Sequence, residues 1–441
     1  METIVVYSAE NSVRLKFVLD WLLKERLHLN YSITSSIADT TGLPFFISYG
    51  KALPGSISIP NDHLLFERGV HKIDPKTGTW KDIPTLFPAS GNEFSLPFDL
   101  FSALFFLLSR YEEYNAYTPD KHERYPATNS VLYKKGWLMR PLADEWVAAF
   151  RKLVQEAAGI HIDAAHFLYL PTYDIDMAYS HLHKGFGRIA GAYIRALLKG
   201  DVKQLSERIQ VLKKKQKDPY DSFRWLRQLH KEYDYKPLYF VLSSFKRTAF
   251  DKNIHPEHPA MLRVIKNLAR ESTIGLHPSY FSDRSNTFGK EKKLLELVSG
   301  RGINISRQHY IKLKMPQTYR LLLENGITED YSMGYGTHLG FRAGTGSSFP
   351  WYDAERDVIM PLRIYPFCFM DTAAHFELKL SATEAFEKLD AMSKRLHQAG
   401  GTMITVFHNF SLGTSAEWNG WRQAYEHFMQ EQTKATEIVQ L

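Results

Sequence analysis

Residues 167–176 read FLYLPTYDID, an apolar run that ends in two carboxylates. The pattern predicts a buried strand, Phe167–Tyr173, with Asp174 and Asp176 at its carboxyl end. Side chains alternate between the two sides of an extended chain, so both carboxylates should face one spot beyond the strand. Like charges that close must share a proton or be separated by a cation. The sequence therefore indicates a charged site at the end of this strand.

From Phe167 onward, strand-like segments alternate with segments of helical period. Further strands are predicted at Pro237–Leu242, Thr273–Leu276, Asn304–Gln308, Val358–Leu362, Tyr365–Met370 and Met403–Phe407. Helices are predicted between several of them, at Ile189–Leu198, Pro259–Ala269, Lys290–Val298, Pro316–Glu324 and Ala382–Gln398. This alternation favours an α/β fold with a parallel sheet, either open or closed into a barrel.

Further polar residues fall at or near the carboxyl ends of these strands. They are His277, His309, Arg342, Asp371 and His408. The carboxyl ends of parallel strands meet at one edge, where barrels and open α/β folds build their active sites. A set of one Asp and two His suits Zn²⁺, Fe²⁺ or Co²⁺ and leaves positions open for water and substrate.

Residues 1–165 differ in texture from residues 166–441, which predicts two domains with this boundary. Strands are predicted in the first part at Thr3–Ser8, Leu43–Tyr49 and Ser56–Ile59, and a core-facing helix at Pro97–Tyr114. The first part is therefore expected to be a smaller α/β domain. The end of its helix, Arg110–Tyr114, is interpreted as a solvated helix end, with a contact surface as the alternative.

Composition excludes several classes of protein. The net charge of +7 is modest for 441 residues, so nucleic acid is not expected as a partner. The single cysteine, Cys368, excludes an internal disulfide and a cysteine-built zinc site, and its apolar neighbours predict a packed thiol. The N-terminus lacks the pattern of a signal peptide, and the apolar run Phe101–Leu108 is too short for a membrane span, which needs about 20 residues. A cytoplasmic protein is expected.

The residues at the strand ends resemble the motifs of polysaccharide deacetylases of the NodB-homology type, which are carbohydrate esterase family four in the broad sense. The resemblance points to a divergent branch of Bacteroidetes type with an extra N-terminal domain of unknown function. Residues 98–114, with the runs FDLF and LLSRYEEY, resemble that domain, and the chain from Phe167 onward resembles the deacetylase. The resemblance implies a distorted (β/α) barrel with fewer than eight regular strands.

The first two motifs supply the implied base and metal ligands. In TYDID (172–176), the resemblance implies that Asp174 is the general base and Asp176 a metal ligand, although the inserted Ile175 leaves an exchange of these roles open. His277 resembles a ligand of the second motif, which usually has two histidines four residues apart. Thr273 and Phe281 stand at those spacings from His277, so His309 is the predicted substitute ligand.

The later motifs imply the remaining catalytic residues. Arg342 resembles the arginine that orients the catalytic carboxylate, and His408 resembles the catalytic acid. Asp371 is grouped with these catalytic residues. His408 is expected across the pocket from Asp174 and Asp176, and a backbone N–H near Tyr280 or Tyr310 is expected to stabilise the oxyanion.

The resemblance implies a metal-dependent hydrolase that removes N-acetyl groups from an amino sugar in a glycan or glycan precursor. The implied cofactor is a divalent metal ion, Zn²⁺ first and Co²⁺ or Fe²⁺ as alternatives, and the implied partner is a carbohydrate substrate. Two other functions stay open. The absence of a histidine at Thr273 suggests a barrel without turnover that binds or assembles glycans, and the site also suits hydrolysis of an amide or ester on another substrate.

Overall fold

The computed structural model describes residues 3–185, 202–284 and 287–440, and in these residues the strands form two larger β-sheets and one two-stranded hairpin. The first sheet has the order β2-β1-β3-β4, and all its neighbouring strands are parallel. Its strands are β1 (Ile4–Ser8), β2 (Tyr31–Thr34), β3 (Phe46–Tyr49) and β4 (Ser56–Ile59). A hairpin of β5 (Thr77–Trp80) and β6 (Ile83–Leu86) follows. The α/β character predicted for this part is confirmed.

Four α-helices accompany these strands: α1 (Val13–Leu19), α2 (Leu100–Leu108), α3 (Val131–Lys134) and α4 (Leu142–Ala158). Helix α2 begins at Asp99, whose side chain accepts a hydrogen bond from the Ser102 N–H, and all its residues are buried. It ends at Leu108 and not at Tyr114, because Arg110 adopts a left-handed conformation with φ of 55°. Arg110 and Glu113 are buried, so the interpretation of this segment as a solvated helix end is wrong.

The second sheet has nine strands in the order β12-β13-β11-β10-β9-β8-β7-β15-β14. They are β7 (Phe167–Ile175), β8 (Leu238–Leu242), β9 (Thr273–His277), β10 (Ile305–Ser306), β11 (Glu329–Asp330), β12 (Phe349–Asp353), β13 (Val358–Ile364), β14 (Phe369–Met370) and β15 (Gly401–His408). The neighbouring strands are parallel except for β12, which runs antiparallel to β13.

Helices lie between and after these strands. They are α5 (Val202–Leu212), α6 (Phe223–Glu232), α7 (Pro259–Glu271), α8 (Phe288–Ser299), α9 (Gln317–Glu324), α10 (Ala382–Ala399) and α11 (Trp421–Gln440). The four predicted helices from Pro259 onward are confirmed with small shifts of their ends, and the predicted helix Ile189–Leu198 lies outside the described residues. No described helix has the length and apolar character to cross a membrane.

The strand ladder of the second sheet is open, with β12 and β14 at its edges in the described part of the chain. The described strands therefore do not close into the expected barrel by continuous strand pairing, whereas the α/β class is confirmed. Isolated backbone hydrogen bonds connect the chain around β14 with the loop after β11. Phe367 N–H donates to Met333 O at 3.0 Å, and Gly340 N–H donates to Cys368 O at 2.8 Å. Cys368 is buried as predicted, and burial raises the pKa of its thiol to about 12.

The N-terminal part packs on residues 331–357, which lie between β11 and β13. The Trp21 indole N–H donates to Ser348 O at 3.0 Å, and the Tyr114 hydroxyl donates to Tyr352 O at 3.0 Å. Buried side chains of both parts form one continuous hydrophobic core. The sheets share no strand, and the boundary at residue 165 stays a prediction.

Candidate active site

Three predicted metal ligands meet at the carboxyl edge of the second sheet. Asp176 directly follows β7, His277 ends β9, and His309 lies in a short turn after β10. One donor atom from each lies within 4.8 Å of the others, and the two imidazole ring centres are 4.9 Å apart. His277 Nε2 is 3.1 Å from Asp176 Oδ1, and His309 Nε2 is 3.5 Å from Asp176 Oδ2. The three side chains are therefore close enough to hold one ion.

The outer nitrogens of both imidazoles are engaged. His277 Nδ1 lies 2.6 Å from Arg307 O, which can only accept, so Nδ1 donates this hydrogen bond and Nε2 faces Asp176. His309 Nδ1 lies 3.2 Å from Asp251 Oδ1. Partners of this kind orient histidine ligands and raise their basicity in metal sites. Both rings are therefore oriented so that Nε2 is the atom available to bind a metal ion.

The donor set fits a divalent metal ion. Asp176 Oδ1 is buried and accepts no hydrogen bond from the described residues, although His277 Nε2 is only 3.1 Å away. A buried carboxylate oxygen without such a bond is costly, and a bound cation would satisfy it. Two nitrogens and a carboxylate are typical of sites for Zn²⁺ and related metals with open coordination positions.

Asp174, the predicted base, faces the same spot as Asp176 from two residues earlier. Its Oδ2 lies 3.7 Å from His277 Nε2, and its Oδ1 accepts a hydrogen bond from Arg307 Nη1 at 2.9 Å. Strands β7 and β10 are three strand spacings apart, about 14 Å in a flat sheet. The side chains of Arg307 and Asp174 together bridge this distance along one face of the sheet, here named the inner face, where the guanidinium lies 4.3 Å from the Phe240 ring of β8.

Arg342 does not orient this carboxylate, and its predicted role is wrong. It donates from Nε and Nη2 to the Glu113 carboxylate and from Nη1 to Gly334 O. Arg342 therefore belongs to a buried ion pair between the two parts of the chain. The arginine in contact with Asp174 is Arg307, which directly follows β10.

His408 and Asp371 form a tight pair at the ends of β15 and β14. His408 Nδ1 lies 2.7 Å from Asp371 Oδ1, and the His408 backbone N–H donates to Asp371 Oδ2 at 2.7 Å. His408 Nε2 is 3.4 Å from Asp176 Oδ2. The expectation that His408 stands across the pocket from both aspartates is therefore wrong. The parallel register of β15 and β7 places His408 directly beside Asp174.

The charges of this cluster reinforce one another. Burial opposes ionisation of Asp176, but His309, His408 and His277 outweigh it and hold the pKa of Asp176 well below its usual range. Burial likewise opposes a charge on His309, but Asp176 and Asp251 raise its pKa to about 9. For His408, Asp371 and Asp176 outweigh burial and raise the pKa well above its usual range.

A cavity of about 400 Å³ opens above these side chains. Its walls are rich in aromatic rings, contributed by Tyr220, Phe250, Tyr310, Phe376, Phe410 and Trp418. The N-terminal part adds Lys121, His122 and Arg124. The volume lies within the range of small-molecule sites, and aromatic walls with a polar floor suit an amphipathic ligand.

Arg307 and Asp251 were not identified as site residues from the sequence. The Tyr280 backbone N–H was also expected to be available for an oxyanion, which it is not. A charged residue directly after the buried residues Ile305 and Ser306 was the available signal for Arg307. Asp251 lies in a loop after β8, and its local sequence gave no signal. Its Oδ1 also accepts the Tyr280 N–H at 2.9 Å, so this N–H is not free to bind an oxyanion.

Fold and site together define an α/β protein with a candidate Asp/His₂ metal centre and an adjacent Asp–His pair. Residues 4–159 match a family of unknown function (DUF7033), which agrees with the prediction that this part has no known function. No curated protein matches the chain.

Solved structures of polysaccharide deacetylases are similar to the chain at low identity. A protein from Mycobacterium smegmatis assigned as a polysaccharide deacetylase has 15% identity and a TM-score of 0.39, with 62% of this chain and 85% of that chain covered. The polysaccharide deacetylase from Bacillus cereus has 10% identity and a TM-score of 0.31, with 60% and 88% covered. A mutant CE4-family pseudoenzyme with restored enzymatic activity has 9% identity and a TM-score of 0.28, with 60% and 63% covered.

Proposed function

We propose that the chain is a metal-dependent hydrolase that removes N-acetyl groups from an amino sugar in a glycan or glycan precursor. The observation that carries this proposal is the convergence of Asp176, His277 and His309 beside Asp174 and His408 at the floor of one cavity. The set combines metal donors, a candidate base and a candidate acid. The motif resemblance supplies the class of substrate.

Asp176, His277 and His309 would hold the metal ion, with Zn²⁺ as the first choice and Co²⁺ or Fe²⁺ as alternatives. Bound there, such an ion polarises the acetyl carbonyl and makes a bound water more acidic. Asp251 and the Arg307 carbonyl keep the two imidazoles oriented for this task. The absence of a histidine at Thr273 favoured a binding protein without turnover. His309 weakens that argument, because it lies where it could act as the second histidine ligand.

Asp174 takes a proton from the attacking water. Arg307 donates to Asp174 Oδ1 and holds the carboxylate in place, which leaves Oδ2, the oxygen near His277, to accept this proton. A base placed within reach of the nucleophile typically contributes about 10²–10⁴-fold to the rate.

His408 delivers a proton to the departing amine. Its Nδ1 is bonded to Asp371, which leaves Nε2 directed at the cavity. Asp371 and Asp176 raise the pKa of His408 against burial, which favours the protonated ring that this role requires. Asp371 is thus a positioning residue for the acid.

Acetate release from N-acetylglucosamine oligomers tests this proposal on the full chain. We expect activity that is lost on chelation and restored by Zn²⁺ or Co²⁺, and that is lost in His309→Ala. His161→Ala is the matched control, since this histidine is 81% exposed and its ion-pair partner is the exposed carboxylate of Asp163. A metal-loaded protein that releases acetate from aryl acetates but not from the sugars would overturn the assigned substrate class. Metal-independent sugar binding without acetate release would favour the glycan-binding alternative.

A further inference from the structure

Residues Asp120–Arg124 of the N-terminal part, here named the 120–124 loop, lie against the loops that follow β9 and β10. Arg124 Nη1 donates to Tyr310 O at 2.7 Å, and His122 Nδ1 lies 2.9 Å from the Tyr280 hydroxyl. Glu123 pairs with Arg284 at the surface. These contacts connect the N-terminal part with the loops of both histidine ligands.

The turn that carries His309 has an unusual backbone. Tyr310 has φ of 59° and ψ of 14°, and Ile311 has φ of 52°. Left-handed conformations are uncommon outside glycine, and for a β-branched residue such as Ile311 they are outliers. Such conformations persist at functional sites only where the surrounding contacts hold them. The bond from Arg124 to the Tyr310 carbonyl is one such contact, one residue beyond the ligand.

Arg124 is itself held rigidly. Its Nε donates to Asp120 Oδ2 at 2.8 Å, and Asp120 Oδ1 accepts the backbone N–H groups of His122 and Arg124. The guanidinium occupies space that only a glycine leaves open, because a Cβ on Gly336 would lie 2.2 Å from Arg124 Nη1. Arg124 is 6% exposed and yet lines the cavity.

We propose that Arg124 is a positioning residue of the candidate metal centre, supplied by the N-terminal part. It fixes the Tyr310 carbonyl and thereby the turn that presents His309 Nε2 to Asp176. The N-terminal part is then a component of the active site and not an attached module. This inference rests on the metal centre of the proposed function and deepens it.

Binding of Co²⁺ to the full-length protein tests the proposal without any need for turnover. We expect Arg124→Ala to bind Co²⁺ about 10-fold more weakly than the parent, the lower end of the effect of outer-shell changes in metal sites. The visible spectrum of bound Co²⁺ should change as the His309 ligand is displaced. Arg124→Lys keeps a donor for the carbonyl and should recover part of the affinity. Arg284→Ala removes the surface pair with Glu123 of the same loop and should bind like the parent.

Gly336→Ala is a second variant that keeps the arginine and pushes it away from Tyr310, and the same loss of Co²⁺ affinity is expected. It decides the question if Arg124→Ala does not fold. Parent-like Co²⁺ affinity and spectrum in a folded Arg124→Ala or Gly336→Ala would overturn the proposal. Equal losses of Co²⁺ affinity in Arg124→Ala and Arg284→Ala would overturn it too, because a general loosening of the 120–124 loop would then explain the loss without the bond from Arg124 to Tyr310. A parent protein that fails to bind Co²⁺ overturns the metal centre itself, which separates failure of the function from failure of this inference.

Discussion

Asp174 and Asp176 differ in their neighbours, although they are two residues apart on one strand end. Arg307 holds Asp174, whereas His277, His309 and His408 surround Asp176. We therefore expect Asp176→Ala to lose the metal, while Asp174→Asn keeps it and loses about 10²–10⁴-fold in turnover. Metal content by elemental analysis, measured beside acetate release, checks both. The opposite pattern would mean that the inserted Ile175 has exchanged the two roles.

Asp371 should set the pH range in which His408 acts as an acid. Its carboxylate, together with Asp176, raises the pKa of His408 against burial, so Asp371→Asn should lower that pKa. A protonated acid is lost as pH rises through its pKa, so the alkaline limb of the kcat/KM profile should move to lower pH. His408→Ala supplies the comparison without this acid. An alkaline limb that stays in place in Asp371→Asn would exclude His408 as its source.

Asp176 and His277 could be predicted from the local sequence because they lie at or directly after the ends of apolar strands, where a lone polar side chain is conspicuous. The arginine that binds Asp174 could not be predicted in this way. Arg342 resembles the arginine of a deacetylase motif, but it lies in the irregular segment that packs on the N-terminal part, where it pairs with Glu113. Arg307 reaches Asp174 across two intervening strands, because both side chains extend along the inner face of the sheet. That closeness depends on tertiary structure and not on local sequence.

Strand β9 presents its ligand beside a glycine that the packing requires. A Cβ on Gly275 would lie 2.7 Å from the Phe240 ring and 2.8 Å from Ile305 Cγ1. Gly275→Ala should therefore lower the free energy of unfolding by about 1–3 kcal/mol, the usual cost of overpacking a core. Gly302→Ala is the matched control, since nothing lies within 4 Å of its Cβ position. Denaturant unfolding of the two variants checks the difference, and equal stabilities would show that the inner face of β9 has room.

The elements predicted best are those with long apolar or periodic patterns. Strand β7 and helix α10 lie where the sequence placed them, since burial of a whole face dominates their local preferences. Strand β11 was not predicted, because the two residues Glu329–Asp330 carry no apolar pattern and pair only in the context of the sheet. Helix α2 ends early for a similar reason. A buried ion pair fixes Arg110 in a left-handed conformation that sequence alone does not reveal.

At the scale of the whole molecule, ion pairs of two kinds connect the N-terminal part with the second sheet. Arg342 and Glu113 are 1% exposed, whereas Arg363 and Glu25 are 32% and 34% exposed. Loss of one partner of a buried pair typically costs about 3–5 kcal/mol, but an exposed pair contributes only about 0–1 kcal/mol. Arg342→Ala should therefore destabilise the protein strongly and Arg363→Ala only slightly, as measured by denaturant unfolding. Comparable losses in both variants would contradict a buried connection between the two parts.

The proposed function depends on one divalent metal ion held by Asp176, His277 and His309. Anomalous X-ray scattering from crystals of the Zn²⁺-loaded full-length protein, recorded above and below the zinc edge, tests it most directly. We expect an anomalous peak about 2.0–2.2 Å from Nε2 of both histidines and from a carboxylate oxygen of Asp176. A zinc peak bound elsewhere, or none between these three side chains in crystals grown with saturating Zn²⁺, would contradict it.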